Sequence, residues 1–185
     1  MQTYIINPDQ IMLTFVAPGV SRTQGVFTRS MGTVTVDEHG NPQSLDVTIA
    51  AGSLNTGILR RDEHLKTATF LDIQRYPVIT YSSQHIEQVG ANRFAVRGVL
   101  HLHGHVHTVA LDVTVDTEIQ LDGARQAHVK GSVPRMAFGI PRNPIMRTLL
   151  LPLIGNSVIV SADVSLALAP DSVSVAPFPA IRSQE

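Results

Sequence analysis

Along residues 109–116 the chain alternates without a fault. Val109, Leu111, Val113 and Val115 fall on one side of a two-residue period, and Ala110, Asp112, Thr114 and Asp116 fall on the other. Successive side chains of a β-strand point to opposite faces, so this period predicts a strand with one apolar face. The same run extends over residues 106–119, longer than the roughly five or six residues of an ordinary strand. The period recurs elsewhere. Leu45, Val47, Ile49 and Ala51 oppose Ser44, Asp46, Thr48 and Ala50; Phe94, Val96, Gly98, Leu100 and Leu102 share a face; so do Val158, Val160, Ala162, Val164, Leu166 and Leu168. Shorter strand-like runs cover residues 4–6, 11–16, 25–28 and 33–36, and longer ones 78–89 and 125–133. Asn7-Pro8-Asp9, His39-Gly40-Asn41-Pro42, Gly90-Ala91-Asn92, Gly104 and Asp122-Gly123 supply the turns between them. About eight to ten strands in sequential order, with no alternating helices, predict an all-β domain: a closed antiparallel barrel or a sandwich. Long strands paired in chain order favour an up-and-down barrel, and about eight strands close one wide enough for a single elongated ligand.

One stretch breaks this pattern. In residues 55–81, Asn55 or Thr56 is a candidate helix cap, and Ile58, Leu59, Leu65 and Ala68 stand near helical spacing. Arg60, Arg61, Asp62, Glu63 and Lys66 fill the other side, with Asp62 and Lys66 four apart and able to pair on the surface. Phe70 and Leu71 are expected to return to a core, and Pro77 ends the helical stretch before the next strand.

The chain of 185 residues suits one domain, expected over residues 1–168. Residues 169–185, rich in Pro and Ser, are expected to be a disordered tail. Residues 134–156 hold Pro134, Pro141, Pro144 and Pro152 among Phe138, Ile140, Ile145, Met146 and the apolar 149–154 run. That is too much proline for a helix or inner strand, and a long apolar loop of this kind is usually functional, often as a lid.

A net charge of −1 offers no basic field for nucleic acid or an anionic membrane surface. The absence of cysteine excludes disulfides, thiolate zinc sites and cysteine catalysis. No run approaches 18 apolar residues, so no membrane span is expected. The start MQTYIINPDQIML has no basic, apolar and small-residue succession of a secretory signal. The expectation is a cytoplasmic protein as written, or a periplasmic one if a signal was removed.

Several separated motifs resemble those of the YceI-like family. They are Gly25-x-Phe27 with Gly32-Thr33-Val34; Thr56-Gly57; Arg61-Asp62-x-His64-Leu65; Tyr76-Pro77; Leu102-His103-Gly104; and Arg135-x-x-Phe138-Gly139-Ile140. The likeness runs from about Tyr4 to Leu168, with departures at Gln10-Ile11 and in the apolar loop from Arg142 to Asn156. The resemblance implies a lipocalin-like barrel with a hydrophobic tunnel for a long lipid, such as a polyisoprenoid, a prenylated quinone or a fatty amide. It implies a binding or carrier protein, not an enzyme, with no cofactor. Apolar alternation alone is more often a packed core than a tunnel; the resemblance points to the tunnel. Aromatic residues make up only 5% and Trp is absent, so inward aliphatic side chains would leave space. The expected ligand-contacting residues are Phe15, Phe27, Val47, Ile49, Leu65, Phe70, Tyr81, Phe94, Val96, Leu100, Leu111, Val113, Phe138, Ile140, Val160 and Val164. Arg61, Asp62, His64, His103 and Arg135 are the expected polar anchors.

Two readings stand beside this one. His101, His103, His105 and His107 could gather imidazoles for zinc, copper or nickel, with Asp112 or His128 as a third ligand, or they form an exposed hairpin tip. The 134–156 loop could dock on a partner or a second copy, giving a homodimer. His64 could serve as a general base, but no nucleophile motif accompanies it; a polar network of Arg61, Asp62 and His64 holding the helix to the barrel is the other reading.

Overall fold

The computed structural model describes residues 2–6, 13–17, 23–119, 124–143, 145, 149 and 156–169. Its strands follow in chain order: β1 (Gln2–Ile6), β2 (Leu13–Ala17), β3 (Thr23–Phe27), β4 (Ser30–Val36), β5 (Pro42–Ala50), β6 (Leu54–Asn55), β7 (Val78–Gln88), β8 (Arg93–Leu102), β9 (His105–Ile119), β10 (Arg125–Pro134) and β11 (Ser157–Leu168). One helix, α1 (Leu59–Lys66), stands between β6 and β7.

All pairings are antiparallel, and the sheet closes because β1 bonds β11, with Tyr4 opposite Leu168 and Ile6 opposite Leu166. β2 lies along the same edge of β11 further on, with Thr14 opposite Ser161. β3 and β4 similarly follow β2 and β1, and β5 and β6 follow β4 and β3. Three of the barrel's staves are thus each broken once, and the eleven described strands make an eight-stave, up-and-down closed barrel with the short helix α1 beside it; Ile145 and Leu149, in the stretch read as too proline-rich for a helix, are also helical. Apart from the closing seam, each stave pairs with the staves next to it in sequence, as the long alternating runs predict.

The inner face is set by the two-residue period. Phe94, Val96, Gly98 and Leu100 of β8 are buried while Arg93 and Arg97 are exposed. On β10, Ala127 and Val133 are buried between exposed His128, Lys130 and Ser132. The broken third stave diverges from β7 beyond Ala50, and α1 with residues 67–77 fills the wedge. This end, which also carries the β8–β9 turn and the 135–143 segment, is the helical end. The opposite end carries the turns at 37–41 and 89–92 and is the turn end.

The helix departs from its sequence reading in three respects. Its N-cap is Ile58, which makes no side-chain cap bond. Asn55 Oδ1 instead accepts the Gly57 N–H at 2.8 Å, and Thr56 donates its N–H and hydroxyl to Asp62 Oδ1. Asp62 is buried in that contact, so the expected surface pair with Lys66 does not form. Of the apolar stripe only Leu65 turns inward; Ile58 and Leu59 are exposed. The expected tail lies outside the described residues from position 170 onward, as do the hairpin Asp122-Gly123 and most of 144–155.

Candidate functional site

A cavity of about 330 Å³ runs along the barrel axis. Its wall is built from the inward residues of successive strands: Phe27 on β3, Val47 and Ile49 on β5, Ile79, Tyr81 and Ile86 on β7, and Phe94, Val96 and Leu100 on β8. Leu111, Val113 and Val115 of β9, Ala127 and Val129 of β10, and Val160, Val164 and Leu166 of β11 complete it. At the helical end Leu65, Phe70, Leu71 and Ile140 close over it. Among the described lining residues, only Tyr81, Arg135 and Ser161 carry a polar side-chain group.

The interior stays open for two reasons. Most inward side chains are aliphatic, and glycines face inward at three tight points, Gly32, Gly98 and Gly131. A Cβ at Gly98 would lie 2.6 Å from the Tyr81 ring and 2.5 Å from the Ser82 carbonyl. The Tyr81 phenol therefore takes the space a side chain at position 98 would fill. Gly131 gives the same room to Leu111, its cross-strand partner. Side chains that settle over glycine backbone do not have to project toward the axis.

Tyr81 is buried, and its hydroxyl reaches the carbonyl oxygens of Val96 at 3.4 Å and Val109 at 3.3 Å. Burial pushes its pKa up to about 12, so the phenol stays neutral and remains a donor. Arg135 stands at the helical end, 7% exposed, with Nη1 donating to the Ile140 carbonyl at 3.1 Å. Removal from water lowers its pKa from the usual arginine value.

The expected contact residues divide as follows. Phe27, Val47, Ile49, Leu65, Phe70, Tyr81, Phe94, Val96, Leu100, Leu111, Val113, Ile140, Val160 and Val164 line the cavity. The Phe15 side chain lies outside the described residues. Phe138 is fully buried but does not line the cavity. It packs edge-on to His107, ring centroids 5.0 Å apart, beneath the β8–β9 hairpin. Of the expected polar anchors, Arg135 alone reaches the cavity wall. Arg61 binds the Thr56 hydroxyl and carbonyl through Nε and Nη2 at 2.8 and 2.9 Å. Arg61 and Asp62 therefore meet at Thr56 and tie α1 to the end of β6. His64 is exposed and packs on Phe70 instead of joining that network.

The histidine cluster is divided by the turn. His103 and Gly104 both take positive φ, 53° and 73°, as a two-residue turn between twisted strands requires. His101 then faces Val106, and His105 and His107 face Leu102 and Leu100, so no imidazole opposes another across the ladder. His103 is buried, with Nδ1 3.0 Å from the Phe138 carbonyl, and His107 Nε2 lies 2.9 Å from the Ala137 carbonyl. The pair pins the 135–143 segment across the barrel end, a role that the spacing alone did not reveal. The rings of His103, His105 and His107 are 6.2 and 6.5 Å apart in sequence. Asp112 lies on the other face of β9, and the His128 ring is held by Asp163 and Asp116. Among the described residues no three His, Cys, Asp or Glu side chains gather to hold a metal. Nor is any described helix long and apolar enough to cross a membrane.

Comparison with known proteins adds a lineage to this geometry. The family model described as the YceI-like domain matches residues 4–166. The proteins named YceI of Salmonella arizonae and Salmonella heidelberg are each 34% identical to this chain over 96 residues. That alignment covers 51% of this chain and 49% of each relative, so the chain spans about half the length of the curated relatives it matches. Among solved structures, BcnA of Burkholderia cenocepacia superposes with a TM-score of 0.74 at 22% identity, covering 84% of this chain and 95% of that one. A domain from Saccharophagus degradans, described as polyisoprenoid-binding and implicated in plant cell wall breakdown, superposes with a TM-score of 0.67 at 15% identity, covering 91% of this chain and all of that one. At these identities the superpositions establish a shared barrel.

Proposed function

The chain belongs to the YceI-like family, and from that premise we propose that its barrel binds a long lipid of the polyisoprenoid class and carries or stores it unchanged. The observation that supports this most is the cavity of about 330 Å³ with an almost wholly apolar wall from Phe70 at one end to Val115 near the other. Such a wall gains roughly 0.8 kcal/mol for each methylene-sized group it takes from water, so a partial prenyl tail is enough for firm binding. It offers a linear alkyl or isoprenoid chain no polar group to satisfy, and it offers a sugar or nucleotide too few. The polyisoprenoid binding described for the Saccharophagus domain supports the same class; a prenylated quinone or a fatty amide has a tail that suits the same wall.

Tyr81 and Arg135 contribute orientation. The Tyr81 ring shapes the wall, its oxygen keeping only acceptor capacity beyond its own carbonyl contacts, and the guanidinium places a cation near the helical end, where the polar head of the lipid would lie. Neither arrangement calls for bond making: the Tyr81 hydroxyl is engaged by two carbonyls and its proton is held well above neutral pH. The test is to extract purified protein with organic solvent, analyse the extract by mass spectrometry, and titrate the stripped protein with a fluorescent prenyl probe. A co-purified isoprenoid or saturable probe uptake is expected. An extract free of lipid together with no uptake overturns the reading.

A further inference from the structure

The even charge balance of the whole chain conceals a segregation along the barrel axis. Residues 58–78 and 134–145, which build the helical end, carry six Lys and Arg against three Asp and Glu, on a chain whose totals are 14 and 15. Two of those three carboxylates are withdrawn from the surface. Asp62 is 7% exposed and accepts from Thr56, and Asp72 is 4% exposed with Arg142 Nη1 3.6 Å away. Glu63 is the one exposed acid in these described segments, against Arg60, Arg61, Lys66, Arg75 and Arg142, which are exposed or half-buried.

Exposed apolar side chains are concentrated at the same end. Of nine large ones among the described residues, only Val89 and Leu168 lie at the turn end. At the helical end Leu59 is 75% exposed and Ile58 52%, side by side at the start of α1. Ile145 is 77% exposed, three residues beyond Arg142, whose N–H bonds the Thr69 carbonyl in the loop that follows α1. Bulky aliphatic side chains among cations are the composition of a surface that rests on a lipid headgroup layer, the aliphatics entering the acyl boundary and the cations meeting anionic heads. The same helix turns Leu65 into the cavity. One short element therefore spans from the apolar wall inside to the exposed apolar pair outside.

We propose that the helical end docks on an anionic lipid surface through Ile58 and Leu59 with Arg60 beside them, so that the barrel receives or delivers its lipid there. This rests on the proposed lipid-binding function for its purpose, but the surface is testable without it. Full-length protein would be floated with vesicles of phosphatidylcholine mixed with phosphatidylglycerol, and with phosphatidylcholine alone. The expected result is binding to the mixed vesicles that falls as salt rises, and much weaker binding to phosphatidylcholine alone. Ile58→Ser with Leu59→Ser should weaken binding by at least about tenfold, and Arg60→Gln by about fivefold. Both variants should keep full uptake of the prenyl probe from solution, since none of the three residues lines the cavity. Absence of binding to the mixed vesicles, or binding that these substitutions leave unchanged, overturns the proposal. Vesicle binding without any probe uptake would uphold the docking surface and overturn the lipid-carrying function instead.

Discussion

The phenol ring of Tyr81 rests against the backbone of Gly98 so closely that a methyl group at position 98 would lie 2.6 Å from the ring. The two residues belong to adjacent paired strands, Tyr81 opposite Leu100 and Gly98 opposite Ser83. Because the Ser82 carbonyl is equally close, the backbone as well as the ring must yield to any side chain there. Gly98→Ala should therefore cost about 1–3 kcal/mol of stability and drive Tyr81 toward the axis. Urea denaturation measures the first effect. A shift of preferred probe toward shorter prenyl chains measures the second. Tyr81→Phe leaves the ring in place and removes only one hydroxyl proton shared between two long carbonyl contacts, so its stability cost should stay near 0.5–1 kcal/mol.

Val129 lines the cavity from the inner face of β10. Val129→Phe adds volume where space is open, so the barrel should fold with nearly native stability. It should lose prenyl-probe affinity by at least about tenfold, since each displaced methylene forfeits roughly 0.8 kcal/mol. Fluorescence titration alongside thermal denaturation separates the two. An unchanged affinity would place the probe elsewhere.

Phe138 is fully buried and presents its carbonyl to His103 Nδ1, yet it does not line the cavity. Phe138→Ala should destabilise the fold by about 3–5 kcal/mol by hollowing the contact between the 135–143 segment and the β8–β9 hairpin. Probe binding by the molecules that remain folded should change little. Denaturant titration and probe binding at low temperature check the two parts.

His128 joins three strands on the outer surface, with Nδ1 2.6 Å from Asp163 and Nε2 3.4 Å from Asp116. The hydrogen bond to Asp163 chiefly, and then the charge of Asp116, raise its pKa above the ordinary 6.5. A raised folded-state pKa means that the charged ring stabilises the native state below pH 6.5 and that this contribution disappears as pH rises through the higher folded value. The groups are solvent-exposed, so the effect should be of the order of 0.5 kcal/mol. Comparing wild type with His128→Asn by urea denaturation from mildly acidic to mildly alkaline pH should show the difference narrowing as pH increases.

Strands β5, β8, β9 and β11 are readable because long runs with a period of two have one stable use, a sheet with one apolar face. The broken staves were less so. Whether a pause at Thr28 and Arg29 ends a strand or only bends it depends on β5 diverging at Ala50, a tertiary matter. The same applies to α1. Asn55 and Thr56 are both cap-forming residues, but each spends its side chain on a local loop contact, and the wedge beside β7 decides where the helix starts. The lining residues follow from the alternation; that the lumen is open does not. Gly98 and Gly131 look like weak points in a strand until their neighbours are seen lying over them. That Phe138 stands behind the cavity wall is not legible either, because an apolar residue in a loop carries no periodicity to say which surface it covers.

The seam between β1 and β11 joins one of the earliest segments of the described chain to one of the last. Until that seam zips, the sheet is an open, curling ribbon whose oily face is bare, and a pairing so distant in sequence is slow to find. A lipid therefore cannot be enclosed before β11 has been made and has reached β1. Loading must wait for that last stave, and a nascent chain interrupted before β11 would expose the whole lumen wall to chaperones or to aggregation.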